Sequence, residues 1–61
     1  MDTAAYSHGF TSTREMITGA PFSVRQELRQ ATERRRATVE FGTDEYWILT
    51  GAATALNLKA A

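Results

Sequence analysis

Apolar residues recur at helical spacing in the first half of the chain and alternate with polar residues in the second half. Val24, Leu28 and Ala31 lie four and three positions apart, so at about 100° per residue they share one side of a helix. Residues 38–41 then alternate between polar and apolar, and residues 46–49 are rich in strand-forming side chains. The pattern therefore predicts helices followed by a two-stranded β-hairpin.

Capping signals predict where two helices begin and end. Ser12 opens a capping box, and Gly19 followed by Pro21 ends this first helix after about two turns. Ser23 opens a second capping box, and we expect the second helix to continue to about Arg35. The two helices are thus joined by a sharp corner.

The ends of the chain differ from this central part. Residues 1–10 show no sustained period, so we expect a flexible N-terminal arm, with a short turn of helix around Thr3 to Ser7 as the alternative. Residues 11–50 make the predicted helices and hairpin, and residues 51–61 make a C-terminal helical segment that closes the fold or contacts a second copy.

A competing interpretation replaces the hairpin with one long helix. This helix would begin at Thr43 or Asp44 and run to Leu58, because several apolar residues between them also have helical spacing. Gly51 and the neighbouring threonines weaken a continuous helix, and aromatic and branched residues concentrate where strands are needed. The hairpin is therefore favoured.

Length and charge narrow the class of protein. A chain of 61 residues forms one domain that buries only roughly 60% of its unfolded surface, so we expect a dimer or a bound partner to add stability. The chain has no cysteine, which excludes disulfides and thiolate-zinc sites.

Its formal net charge is zero, yet residues 14–36 contain six arginines and three glutamates. Arg25, Arg29 and Arg36 share a polar face about 100° to 140° from the apolar stripe.

Two segments resemble bacterial winged helix-turn-helix regulators. In that family a T-x-R-E-hydrophobic helix precedes a recognition helix with the pattern S-hydrophobic-R-x-x-L, and residues 12–19 (STREMITG) and 23–29 (SVRQELR) are similar to these motifs. Residues 38–50 (TVEFGTDEYWILT) look like the family's wing. The fold class implied is α+β, a small winged helix-turn-helix with two short helices, a β-hairpin wing and a short C-terminal helix.

The resemblance implies that the second helix, about Ser23 to Arg35, enters the major groove of duplex DNA. A guanidinium group can donate two hydrogen bonds to guanine, and a carboxamide group suits adenine. The resemblance therefore implies base contacts by Arg25, Gln26, Arg29 and Gln30. Asp44 and Glu45 at the wing tip would repel phosphates. A phosphate contact from the wing would therefore have to use Thr43 or backbone groups. The phosphate contacts expected are Arg14, Ser23, Arg36 and Thr43. The core residues expected are Met16, Ile17, Val24, Leu28, Val39, Trp47 and Leu49.

The hypothesis that follows is a sequence-specific duplex-DNA-binding protein that acts as a homodimer or with a protein partner. It would be a transcriptional regulator or accessory factor, and its size fits a phage or mobile element. No catalytic triad, cofactor fingerprint or metal cluster is present in the sequence, and His8 stands alone, so we expect no enzyme, cofactor, metal or small-molecule substrate. The chain has neither a signal sequence nor a membrane-length apolar run, so we expect a cytoplasmic protein.

Two other functions stay open. A protein-binding adaptor or inhibitor could use the same scaffold without DNA contact, and zero net charge favours this alternative. A structural subunit of a larger assembly could use the apolar C-terminal segment as its packing face.

Overall fold

The chain folds into three α-helices in a computed structural model, which describes residues 3–60 and the side chains of residues 3–57. The helices are α1 (Thr3–Ile17), α2 (Phe22–Thr38) and α3 (Asp44–Ala60). α3 contacts both other helices, and its interface with α1 is the more extensive. Residues 3–60 contain no strand, so the predicted α+β fold with a hairpin wing was wrong.

The core is a seam of small residues between α1 and α3. On α1 every fourth residue is buried, namely Ala5, Gly9, Thr13 and Ile17. The buried residues of α3 are Gly51, Ala52, Ala53, Ala55 and Leu56. Among the described residues, Ile17 and Leu56 are the largest side chains that are fully buried. Most of the core therefore consists of helix backbones and methyl groups.

Two glycines bring the backbones of α1 and α3 together. A Cβ atom added at Gly9 would overlap the carbonyl oxygen of Ile48. A Cβ atom at Gly51 would overlap the carbonyl oxygen of Tyr6 and would lie 2.8 Å from the backbone nitrogen of Phe10. Neither helix backbone can move aside locally, so both positions require glycine for this crossing.

The two interhelix turns also use glycines. Gly19 has a φ of 78° between α1 and α2, which confirms the predicted left-handed residue after the first helix. Pro21 then caps α2 in an extended conformation with a φ of −66°, and its fixed φ suits this entry into a helix. Gly42 has a φ of 89° in the turn between α2 and α3. The predicted corner between the first two helices is present, but the predicted capping boxes are not: Ser12 lies inside α1, and α2 begins at Phe22 without a side-chain cap.

Thr43 begins α3 where the hairpin was expected. Its carbonyl oxygen accepts a hydrogen bond from the Trp47 amide at 3.1 Å, and its hydroxyl accepts one from the Tyr46 amide at 3.2 Å. Asp44 and Glu45 occupy the first turn, where the helix dipole favours negative charge. The residues assigned to an acidic wing tip are thus a helix start, and packing against α1 overrides the strand propensity of residues 46–49.

The helical assignment corrects two further expectations. Residues 3–10, which we predicted to be an arm, form the first half of α1. Of the predicted core residues, Ile17 is buried, but Met16 is 62% exposed because it lies about 100° around α1 from the buried stripe. Val24 is 41% exposed, so its prediction as core was also wrong. The other predicted core residues, Leu28, Val39, Trp47 and Leu49, are only half-buried.

Aromatic side chains cover the corner between α2 and α3. The ring of Phe41 lies with its centroid 4.8 Å from that of Tyr46 and 5.9 Å from that of Trp47. Tyr46 and Trp47 meet edge to face at 5.1 Å. Such pairs add to apolar burial, and here they close the end of the bundle beside the Gly42 turn.

Replacing Gly51 with alanine tests the close crossing. Alanine in a helix interior normally stabilises by up to about 1 kcal/mol relative to glycine. Here we expect Gly51→Ala to lower the free energy of unfolding by about 1 to 3 kcal/mol, because the added methyl group forces the helices apart. Urea denaturation measures the change. Ser7→Ala, on the exposed side of α1, is the control and should change stability by less than about 0.5 kcal/mol; a stabilised Gly51→Ala protein would contradict the crossing.

Replacing Thr43 with alanine tests the start of α3. The substitution removes the side-chain acceptor of the Tyr46 amide, so we expect the free energy of unfolding to fall by about 1 kcal/mol. Thr43→Ser keeps the hydroxyl and should retain most of that stability. Chemical denaturation of both variants measures the difference, and an equal loss in the two would exclude a capping role.

Candidate protein-binding surface on the second helix

α2 has no fully buried residue, and the side that it turns inward is polar. The half-buried residues of α2 are Arg25, Gln26, Leu28, Arg29, Thr32 and Arg36, so this side is polar except for Leu28. The aliphatic portions of the arginines can cover apolar surface while the polar ends reach solvent or backbone groups. One ion pair joins the two helices directly, from Arg35 of α2 to Glu45 of α3 at 2.7 Å.

The apolar stripe of α2 lies on a different side of the helix, about 100° from the middle of the half-buried side. Val24 and Ala31 are exposed, and Leu28 is half-buried at the edge of the stripe. An open depression of about 500 Å³ runs along it. Its lining residues are Val24, Glu27, Leu28, Gln30, Ala31 and Arg34. The sequence pattern correctly placed these apolar residues on one side of a helix, but the core is elsewhere.

The charged residues that border the stripe have no ion-pair partner among the described residues. Two ion pairs involve other charges of α2: Arg36 with Glu33 at 2.9 Å, and Arg35 with Glu45 of α3 at 2.7 Å. Glu27 and Arg34 form no such pair. They lie seven residues apart, on the flank of the stripe that points away from α3. The border of the stripe thus offers one unpaired charge of each sign.

The predicted base-reading arginines lie on the half-buried side instead of the outward side. Arg25 donates from a terminal guanidinium nitrogen to the carbonyl oxygen of Ala20 at 3.3 Å, and its guanidinium carbon lies 5.8 Å from the centre of the Phe22 ring. Its Nε is buried without a hydrogen-bond partner. Arg29 is half-buried beside it. Arg25 is therefore already engaged within the molecule.

The remaining predicted DNA contacts are spread over several surfaces. Gln26 is half-buried, whereas Gln30 and Ser23 are exposed more than about 100° around α2 from Arg25. Arg14 is exposed on α1, and Thr43 is occupied as the cap of α3. The structure therefore does not bring these eight residues onto one face.

Two residues that line this depression, Glu27 and Arg34, had no role in the predicted site. Their signal was present, because Glu27 and Arg34 flank the apolar positions at a spacing of one heptad. It was passed over because the apolar stripe was assigned to the core.

Within the described residues the structure offers no metal site and no membrane-spanning helix. No cluster of three or more histidine, cysteine, aspartate or glutamate side chains is arranged to hold a metal ion there. His8 is exposed. None of the helices combines the length and apolar character needed to cross a bilayer.

Comparison with protein-family models, curated proteins and solved structures finds no match to this chain.

Proposed function

We propose that this chain is a protein-binding module of the adaptor or regulator class, which docks an amphipathic helix on the outward stripe of α2. The observation that carries the proposal is the orientation of α2. Its half-buried side is mostly polar, while the exposed Val24 and Ala31 and the half-buried Leu28 line an open depression. Apolar surface arranged in this way is stabilised when a partner covers it.

The spacing of the stripe favours a helix as the occupant. Apolar residues four and three positions apart present side chains to an opposing helix at the repeat that helix pairing uses. The stripe is bordered by the carboxylate of Glu27 and the guanidinium of Arg34, which can pair with charges on either side of an incoming apolar stripe. Helix-in-groove recognition combines these two elements.

Duplex DNA fits this surface less well. A recognition helix presents polar and cationic side chains to the base edges, whereas the outward side of α2 carries Val24, Leu28 and the acidic Glu27. The chain has a formal net charge of zero, which gives little long-range attraction for a polyanion. Protein binding is therefore the stronger proposal.

Site-specific photo-crosslinking in the native host cells tests the proposal. Ala31 and Ala37 are both exposed alanines on α2, separated by about 120° around the helix, and they form a matched pair. A photoreactive residue at position 31 should give a discrete protein adduct, and the same residue at position 37 should not. Leu28→Glu should abolish the adduct from position 31, because it places a charge within the apolar contact.

Three results would contradict protein binding through α2. The first is no adduct from position 31, the second is equal labelling from positions 31 and 37, and the third is an adduct that persists in Leu28→Glu. Gel shifts with the purified chain test the DNA alternative in parallel. A salt-sensitive shift that Arg25→Ala/Arg29→Ala weakens would assign the surface to duplex DNA instead.

A further inference from the structure

We infer that the occupant of the stripe is α2 of a second copy of this chain, running antiparallel about a two-fold axis. This inference rests on the proposed function, since it names the partner of the same surface. It is carried by the pattern of residues on the outward side of α2, which is complementary to itself when the direction is reversed.

The apolar residues match under this reversal. In an antiparallel pair, residue numbers rise along one helix as they fall along the other. Leu28 of one copy can therefore lie over Ala31 of the second copy, and Ala31 of the first copy over Leu28 of the second. A large residue then faces a small one in both central layers, which permits close packing. In the same register Val24 lies against the aliphatic stem of Arg35, whose side chain is 61% exposed.

The charges match in the same register. Glu27 of one copy lies beside Arg34 of the other, and the two-fold axis repeats this pair at the opposite end of the central contact. Within one helix the two residues are seven positions apart, too far to pair with each other. The dimer therefore gives partners to the two charges that border the stripe and lack an ion pair among the described residues of one copy.

A parallel arrangement lacks this complementarity. In a parallel pair in register, Glu27 would lie next to Thr32 of the second copy, and no opposite charges would meet. Thr32 is also on the half-buried side of α2. The open flank with Glu27 and Arg34 is available only to a partner that approaches from the side away from α3.

The small core provides a thermodynamic reason for dimerisation. The buried residues of α1 and α3 are mostly glycine, alanine and threonine, and the largest fully buried side chains are Ile17 and Leu56. A chain of 61 residues with such a core has little stability to spare. Burial of Val24, Leu28 and Ala31 between two copies would add apolar contacts that a single copy lacks.

Sedimentation equilibrium of the full chain over micromolar to millimolar concentrations tests the inference. We expect a reversible dimer for the wild type. Glu27→Arg and Arg34→Glu should each raise the dissociation constant by at least about tenfold, because each turns two attractive pairs into like-charge pairs. The double variant Glu27→Arg/Arg34→Glu should restore dimerisation, since the exchange recreates both pairs across the two-fold axis.

Matched controls separate this contact from general charge effects. Glu15→Arg, on the exposed side of α1, changes the net charge as Glu27→Arg does and should leave the dissociation constant unchanged. Ala31→Glu should give a monomer, whereas Ala37→Glu should not. Circular dichroism of each variant confirms that it remains helical.

The outcomes distinguish the inference from the proposed function. A wild-type monomer at every concentration, or a dimer that the double variant does not restore, would overturn the antiparallel contact. If position 31 still gave a specific adduct with another protein, the proposed function would stand and the self-association would be rejected. A monomer without any adduct from position 31 would reject both.

Discussion

The crossing of α1 and α3 at Gly9 and Gly51 is the contact on which the rest of the molecule depends. The two backbones approach so closely that a Cβ atom at either glycine would overlap a carbonyl oxygen of the facing helix. This approach leaves room between the helices only for small side chains, which explains the alanines and the threonine in the seam. It also makes α3 the central element, because α2 attaches to α3 and barely touches α1.

Because the core lies between α1 and α3, the apolar stripe of α2 does not pack into it. α2 packs beside α3 with a half-buried side that is mostly polar, and on this side the Nε atom of Arg25 is buried. The apolar stripe with Leu28 then remains at the surface. Under the proposed function, the same feature supplies a surface for association, and binding there would add to the folding stability of the chain.

Local patterns identified α2 and the second half of α1, but they predicted an arm over residues 1–10 and a hairpin where α3 begins. Gly19 and Pro21 marked the corner between α1 and α2 correctly, because backbone conformation at these residues is a local property. The strand propensity of residues 46–49 was misleading, because propensity is weak and contact with α1 outweighs it. Thr43 followed by two acidic residues was the local signal for a helix start; the competing interpretation used it and is confirmed by α3, whereas the favoured hairpin placed these residues in a turn.

The sequence by itself determined the corner between α1 and α2, the helical periodicity of α2 and the placement of Val24, Leu28 and Ala31 on one side, since each depends on residues near one another in the chain. Only the tertiary structure decided which side of each helix is buried. The contact of Gly9 with Ile48 joins residues far apart in sequence, and no local pattern specifies it. Because that contact places the core between α1 and α3, the apolar stripe of α2 that was predicted to be core lies outside it. Arg25 lies on the half-buried side of α2 instead.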